Sequence, residues 1–525
     1  MKTATAGWIA AILVSLLGCE PEGIYEDTVL TGGIVTLKNG ISIHRLDEDS
    51  LYYFDASIDE PKLSKLFSPA DGESIIWTKA GPEATAPTQL FVLTAPTDPR
   101  NTSIEERLYR VTTDQKAPTV YKIGSQFDQM VFSPDERFAV LYHGEADTSS
   151  GLYNPNEAAL VDLSDRPSDT NPLVLSVSMD GNSIDMVTFV SGLHIGGTER
   201  DLAVFVAGSI VRILDLNDPE NIWAKVPLLA DDTSSGFVAS QVISLDETAD
   251  CDNAACEAKL FIRSATTQDI YYITLGRNGD GFEDVQTKQL EAGGYPTAME
   301  IIYDGDTVLL AVLSASSGLG KLNIVDIDTS ASFSLSFTGN FTQMRQVVDE
   351  ENGDKLVLWG NYTGAVYFVT VTDITQEKGR NAEPFTVDGS ISSYRELDDN
   401  RLLLLPSNGN LVLLDLNTEE ASMLSSNVDY DWSAAQIAEE IFYAIPVSGD
   451  RVDYYNLETG RPDSLLLDDS CVSLHLATGR NTGLIWHSTS TGRVTLFQLS
   501  SPTRASSLVV DGLWLKGILD EKGAE

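Results

Sequence analysis

The residues able to do chemistry in this 525-residue chain are few and scattered. Cysteines stand at positions 19, 251, 256 and 471, and histidines at 44, 143, 194, 475 and 487. Cys251 and Cys256 lie close together in Asp-Cys-Asp-Asn-Ala-Ala-Cys-Glu. In an oxidising compartment such a pair reads as a disulfide stapling one surface loop. The rival reading, a metal clip, lacks a nearby histidine or a second cysteine pair. Cys471 opens the apolar stretch Cys-Val-Ser-Leu-His-Leu and reads as a buried free thiol. No histidine has a partner four residues on, and none lies in an H-E-x-x-H pattern. His143, His475 and His487 fall in or at the end of strand-like segments, where hydrogen bonds would satisfy them. The chain has no G-x-S-x-G elbow, P-loop or G-x-G-x-x-G. No catalytic residue is therefore assigned, and a nucleophile–base pair would have to assemble from distant loops.

No cofactor is expected from these residues, and acid-rich turns raise calcium as the one alternative. Asn278, Asp280 and Asp284 in Asn-Gly-Asp-Gly-Phe-Glu-Asp are the candidate ligands. An EF-hand-like loop needs acids at positions 1, 3, 5 and 12 and Gly at 6. With Asn278 as position 3, Gly276 and Thr287 occupy the first and last positions, so both ends fail. A glycine-rich hairpin turn is the competing reading. Trp77, Trp359 and Trp486 sit on strand-like runs and read as core. Trp432 follows a Ser/Asn loop and is the tryptophan placed for an exposed contact.

Cys19 has a different context. Met1 and Lys2 precede an apolar run, Ala6 to Leu17. About twelve residues suit the core of an export signal, whereas a membrane span takes about 20. The run ends in Leu16-Leu17-Gly18-Cys19, which resembles the lipobox of bacterial lipoproteins. That resemblance implies diacylglyceryl transfer to the Cys19 thiol and cleavage before it. Residues 1–18 are then the signal peptide, 19–30 a lipidated tether and 31–525 the folded body, with a division near 295 as the alternative. Glu20 stands at the position after the lipidated cysteine, where Asp signals inner-membrane retention in enteric-type bacteria. Its identity implies the outer membrane if the source is a diderm.

Composition narrows the partners. Lysine and arginine total 34 against 78 acidic residues, a formal charge of −44. Nucleic acid is excluded as a partner, because its binding depends on cations neutralising phosphates. Anionic lipid surfaces are repelled too, so membrane attachment falls to the acyl chains. The acids are dispersed, which suits the solvated turns of many strands. Hydrophobic content of 42% argues against disorder.

Short apolar runs bounded by Gly, Pro, Asn, Asp and Ser recur along the body, which is the strand signal. One column repeats ten times: a polar residue between two apolar or small ones, followed by a polar turn. It appears at Phe54-Asp55-Ala56, Tyr109-Arg110-Val111, Val161-Asp162-Leu163, Leu214-Asp215-Leu216 and Ile273-Thr274-Leu275. It continues at Val325-Asp326-Ile327, Val369-Thr370-Val371, Leu414-Asp415-Leu416, Tyr455-Asn456-Leu457 and Phe497-Gln498-Leu499, with spacings of 41 to 59 residues. About four short strands per repeat of this length make one blade of a β-propeller. Phe67-Ser68-Pro69-Ala70-Asp71-Gly72 and Phe132-Ser133-Pro134-Asp135-Glu136 resemble the Phe-Ser-Pro-Asp-Gly turn of WD40-like and TolB-type blades. The fold expected is all-β, a propeller of seven to ten blades. Ten columns fit one large ring, two propellers, or a smaller ring with inserted hairpins. A C-terminal strand at Leu513 to Leu519 is expected to complete the first blade and close the ring.

Anchor and repeats together imply an exported, membrane-anchored module whose propeller binds an envelope or extracellular protein or polymer. By architecture alone it is similar to the propeller lipoprotein of the outer-membrane β-barrel assembly machine, without that family's tryptophan-docking pattern. The alternative is a propeller enzyme, such as a lactonase, glycan lyase or quinone-dependent dehydrogenase, with its site at the central channel. Lipidation at Cys19 predicts that the full chain fractionates with membranes and that Cys19→Ala releases it to the soluble fraction. A variant that stays with the membranes contradicts the anchor.

Overall fold

The computed structural model describes residues 31–513 apart from loop segments, the longest being 145–154, 165–173, 229–236, 247–256 and 372–382. Cys19, Cys251 and Cys256 lie outside the described residues, so the anchor and the expected disulfide do too. Among the described residues forty strands form ten four-stranded antiparallel sheets, each built from four consecutive strands. Among the described residues helix is almost absent, and a short 3-10 turn lies at Thr478–Arg480. The sheets are the ten blades of one β-propeller. Blade 1 spans Thr31–Phe67, blade 2 Glu73–Lys122, blade 3 Gln129–Ser178, blade 4 Met186–Pro227 and blade 5 Ala239–Glu291. Blade 6 spans Tyr295–Thr338, blade 7 Gln343–Thr386, blade 8 Ile391–Ser425, blade 9 Tyr430–Leu466 and blade 10 Cys471–Val510. The boundary expected near 295 is the start of blade 6.

The repeated polar column falls on the third strand of every blade, at or near its end. At its Asp162, Asp215, Asp415 and Asn456 members the chemistry is turn capping. Asp162 Oδ1 accepts from the Ser164 amide at 2.9 Å, and Asp215 Oδ1 from the Asn217 amide at 2.9 Å. Asp415 Oδ1 accepts from the Asn417 and Thr418 amides at 2.9 and 2.8 Å, and Asn456 Oδ1 from Thr459 at 2.7 Å. A short carboxylate or amide satisfies the amides of the tight turn into the fourth strand. The two Phe-Ser-Pro turns are not equivalent. Phe132–Glu136 joins the first and second strands of blade 3, where Ser133 Oγ accepts from the Phe138 amide at 2.8 Å. Phe67–Gly72 instead links blade 1 to blade 2.

Period-two alternation explains how the blades stack. In the second strand of blade 4, Leu202, Val204 and Val206 pack toward blade 5, while Ala203, Phe205 and Ala207 pack toward blade 3. In blade 7, Leu356 and Leu358 face blade 6, while Val357 and Trp359 face blade 8. Successive side chains point to opposite faces of a sheet, so a strand buried on both faces is apolar throughout. Ten apolar cores result, each shared by two neighbouring blades, and the last joins blade 10 to blade 1.

At the closing seam all four described strands of blade 1 come from residues 31–67, and the C-terminal strand expected at Leu513 to Leu519 lies, beyond Leu513, outside the described residues. Among the described residues the seam closes by packing. Ile41, Ile43, Phe54 and Ala56 meet Leu484, Trp486, Val494, Leu496 and Leu513 in one core. Residues 514–525 lie outside the described set. Polar links reinforce the seam: Gly479 donates to Lys38 O at 2.8 Å, and Arg480 pairs with Asp55 at 2.6 Å. His475 is buried there, with Nδ1 hydrogen-bonded to Thr36 Oγ1 and Nε2 to Ser473 Oγ, both at 2.8 Å. This is the hydrogen-bonded strand histidine that the sequence implies.

Burial pushes the His475 ring down to about 4. Between that value and the ordinary value of about 6.5 the unfolded chain binds more protons at this group than the native chain. The seam is therefore at full strength above that window and weakens as the pH falls through it. Urea titrations should show a His475→Gln variant less acid-sensitive than the parent by roughly 2 kcal/mol between pH 7 and 4. Equal sensitivity in the two proteins contradicts this role for the ring.

Candidate functional site

The first strands of the blades form the inner wall of the ring. They contact one another from blade to blade, as at blades 4–5, 5–6, 6–7, 9–10 and 10–1. Each has one edge paired within its own sheet and the other toward the axis. A free strand edge leaves backbone groups without partners. Here side chains from one blade reach the backbone of the next. The Gln241 amide donates to Met299 O and accepts from Met299 N, both at 3.0 Å. Gln346 grips the Tyr303 backbone in the same two-pronged way, at 3.0 and 3.3 Å. Trp77 Nε1 donates to Phe127 O at 2.7 Å and Arg345 Nη1 to Asp398 O at 3.2 Å. Arg395 donates to Ala435 O, and Gln436 to Leu474 O.

A bulge recurs where these strands begin, at the end of the ring called upper here. In blades 2, 5, 6, 8 and 10 the register against the second strand skips one residue: Ile76, Ser240, Thr297, Ser392 and Val472. Three of these carry hydroxyls that donate to second-strand carbonyls. Ser240 reaches Arg263 O at 3.3 Å, Thr297 reaches Leu313 O at 3.2 Å and Ser392 reaches Leu405 O at 2.7 Å. The side chain thus satisfies a carbonyl at the position where the ladder is interrupted.

The inner wall also brings together charges that the sequence left far apart. Glu300, Arg345 and Glu396 lie on the first strands of blades 6, 7 and 8. Arg345 pairs with Glu396. Burial pushes the half-buried Glu300 carboxyl up to about 7, with Arg345 opposing the shift and Glu396 reinforcing it. A carboxyl with that affinity exchanges a proton near neutral pH, as a general acid or base must. Its sequence signal is slight: one acid between Met299 and Ile301 in an apolar strand.

The histidines make separate local contacts. His44 Nε2 meets Asp49 Oδ1 at 3.1 Å. His487 bonds Thr495 Oγ1 at 2.8 Å and Ser470 O at 3.1 Å. His143 Nε2 meets Ser125 Oγ at 3.2 Å and its ring packs on Phe127, while burial lowers its proton affinity. Cys471 is not the buried thiol expected but half-buried, with Sγ 3.6 Å from Ser473 O. It forms no disulfide. Trp359 and Trp486 are core as expected, Trp77 is half-buried, and the Trp432 side chain is outside the described residues. Of the calcium candidates, Asn278 ends a strand that pairs with Gly281, and Asp284 lies on the next strand, so this segment belongs to an antiparallel hairpin. Asp280 and the side chains of all three are outside the described residues. Among the described residues no group of three or more His, Cys, Asp or Glu is placed to hold a metal.

No family model and no curated protein matches the chain. Solved structures similar to it are of low identity. The dihydro-heme d1 dehydrogenase NirN in complex with DHE is 13% identical over 74% of this chain and 75% of that one, with a TM-score of 0.41. BamB from Moraxella catarrhalis is 17% identical over 52% and 79%, with a TM-score of 0.28. Apo AztD from Citrobacter koseri is 10% identical over 69% and 92%, with a TM-score of 0.33. No residue role is carried over from them.

Glu300 gives a signed prediction. Above its ordinary value the unfolded chain releases this proton first, so the group lowers stability as pH rises to about 7 and by a constant amount beyond. Glu300→Gln should raise stability at pH 8 by about 1–3 kcal/mol relative to its effect at pH 4. Denaturant midpoints at the two pH values check this, and an equal effect at both contradicts the burial argument.

Proposed function

We propose that this chain is an exported lipoprotein, anchored through Cys19, whose ten-bladed propeller binds an envelope or extracellular protein or polymer. The observation that carries the reading is the closed ring itself. Ten two-sided cores and the side-chain grips on the inner wall hold the loops of ten blades in one rigid frame. A preorganised surface binds without the entropic loss of ordering its loops. A lipid anchor adds a high effective concentration for partners on the same membrane. Glu20 supports outer-membrane placement in a diderm source, and the charge of −44 supports a partner that is not nucleic acid.

One observation favours a second reading, an enzyme working at the central channel. Glu300 has the proton affinity of an acid–base catalyst, and Arg345 beside it can steady an anionic substrate group. Crosslinking in intact envelopes separates the two. The binding reading predicts discrete crosslinked partners with the wild-type chain, retained in Glu300→Gln and reduced in Cys19→Ala. Absence of partners, with turnover of an envelope compound abolished by Glu300→Gln, favours the enzyme.

A further inference from the structure

The repeated upper bulge allows its exceptions to be read. Where blades 5, 6 and 8 place Ser240, Thr297 and Ser392, blades 2 and 10 place Ile76 and Val472. Neither residue can make the hydroxyl bond of its counterparts, and they are 46% and 57% exposed. Leaving a β-branched apolar side chain in water forgoes burial energy, while a serine there would satisfy a carbonyl. Fold stability alone therefore does not favour these two residues. Blade 1 lies between them in the closed ring. Its own register shift falls between Thr31 and Ile34, around Gly32 and Gly33, so no side chain fills the interval. A Cβ built on Gly33 would meet only Thr78 Oγ1, at 4.0 Å, an ordinary contact, so packing does not require glycine there.

The neighbouring upper loops extend the same character. Leu46 in blade 1 and Val447 in blade 9 are 50% and 66% exposed. A cavity of about 400 Å³ opens between blades 9 and 10, walled by Tyr430, Ile445, Val447, Gly449, Cys471 and Val472. The cavity is open to solvent and its exposed lining is mostly polar. Asp429, Asp450 and Asp468 are exposed on the adjoining loops, whereas Asp47 and Glu48 beside Leu46 pair with Arg45 at 2.6 and 2.8 Å.

Building on the binding reading above, we propose that blades 9, 10, 1 and 2 form a docking surface for a basic segment of a partner protein that carries aliphatic side chains. The aliphatic groups cover Ile76, Val447 and Val472 at the mouth of the cavity, while the cations meet the carboxylates on the rim. Charge complementarity selects this occupant. A second copy of the chain brings a charge of −44, and the chain's own residues 20–30 carry Glu20, Glu22, Glu26 and Asp27. Both are repelled by an acidic rim.

The test uses the full chain with two ten-residue probes, an alternating Lys-Leu peptide and an alternating Glu-Leu peptide. Fluorescence anisotropy at physiological salt reads binding, and the alkylation rate of Cys471 in peptide-mapping mass spectrometry reads occupancy of the cavity. The Lys-Leu peptide is expected to bind and to slow Cys471 alkylation several-fold. An I76S/V472S variant restores the hydroxyl of the repeat without changing charge and should bind it roughly tenfold more weakly. A second variant, L46S/V447S on exposed turns, should weaken binding in the same direction, so the result does not hang on one variant's folding. Equal binding by the parent and both variants, or equal binding of the Glu-Leu peptide, overturns the surface. Envelope partners captured equally by the parent and I76S/V472S also overturn it while leaving the binding reading intact. Failure of both chains to capture any partner overturns the binding reading itself.

Discussion

A four-stranded sheet with two apolar faces must be covered on both sides. In this chain every described sheet has two such faces, so blade follows blade until the last is covered by the first. The Ile41, Phe54, Leu484 and Trp486 core is where this requirement is met. Without it, blades 1 and 10 would each leave a wide apolar face in water, an association hazard. The remainder of the architecture follows from that closure. The blade number is set by how many wedge-shaped cores fit around the ring, and here the sum is ten.

Closure creates a second requirement at the axis. Ten blades place ten free strand edges around the inner wall, and edge strands invite unwanted pairing. Glutamine, arginine and tryptophan side chains on those strands bond the next blade's backbone. The same reach groups polar and charged residues near the axis. Glu300 is the member whose surroundings disfavour its charge, and it marks where acid–base chemistry would be sought. The frame thus does two things at once: it locks the blades, and it offers the upper loops a fixed arrangement.

Much of this was legible in the chain. The ten polar columns were ten third strands, and at Asp162, Asp215 and Asp415 the reason is visible: each caps the same turn, and a local hydrogen bond leaves a local signature. The apolar runs marked strands buried on both faces. What the sequence could not show were contacts between residues with no local relation. Thr36 and His475 are 439 positions apart, and nothing near either one announces the other. The packing of blade 10 on blade 1 is another such contact. Phe67-Ser68-Pro69 shares residues with Phe132-Ser133-Pro134 yet joins different elements, since a turn motif fixes a bend and not its place in a blade. Glu300, Arg345 and Glu396 were likewise single charges until the ring placed their strands side by side.

The claim on which all of this rests is one closed ring of ten blades. Electron microscopy of the purified chain, with class averages viewed down the axis, tests it most directly. The structure predicts ten peripheral lobes around a single opening, with the blade 10–blade 1 junction as continuous as the others. A ring of seven or eight lobes, an open arc with a gap, or two separate rings would contradict it.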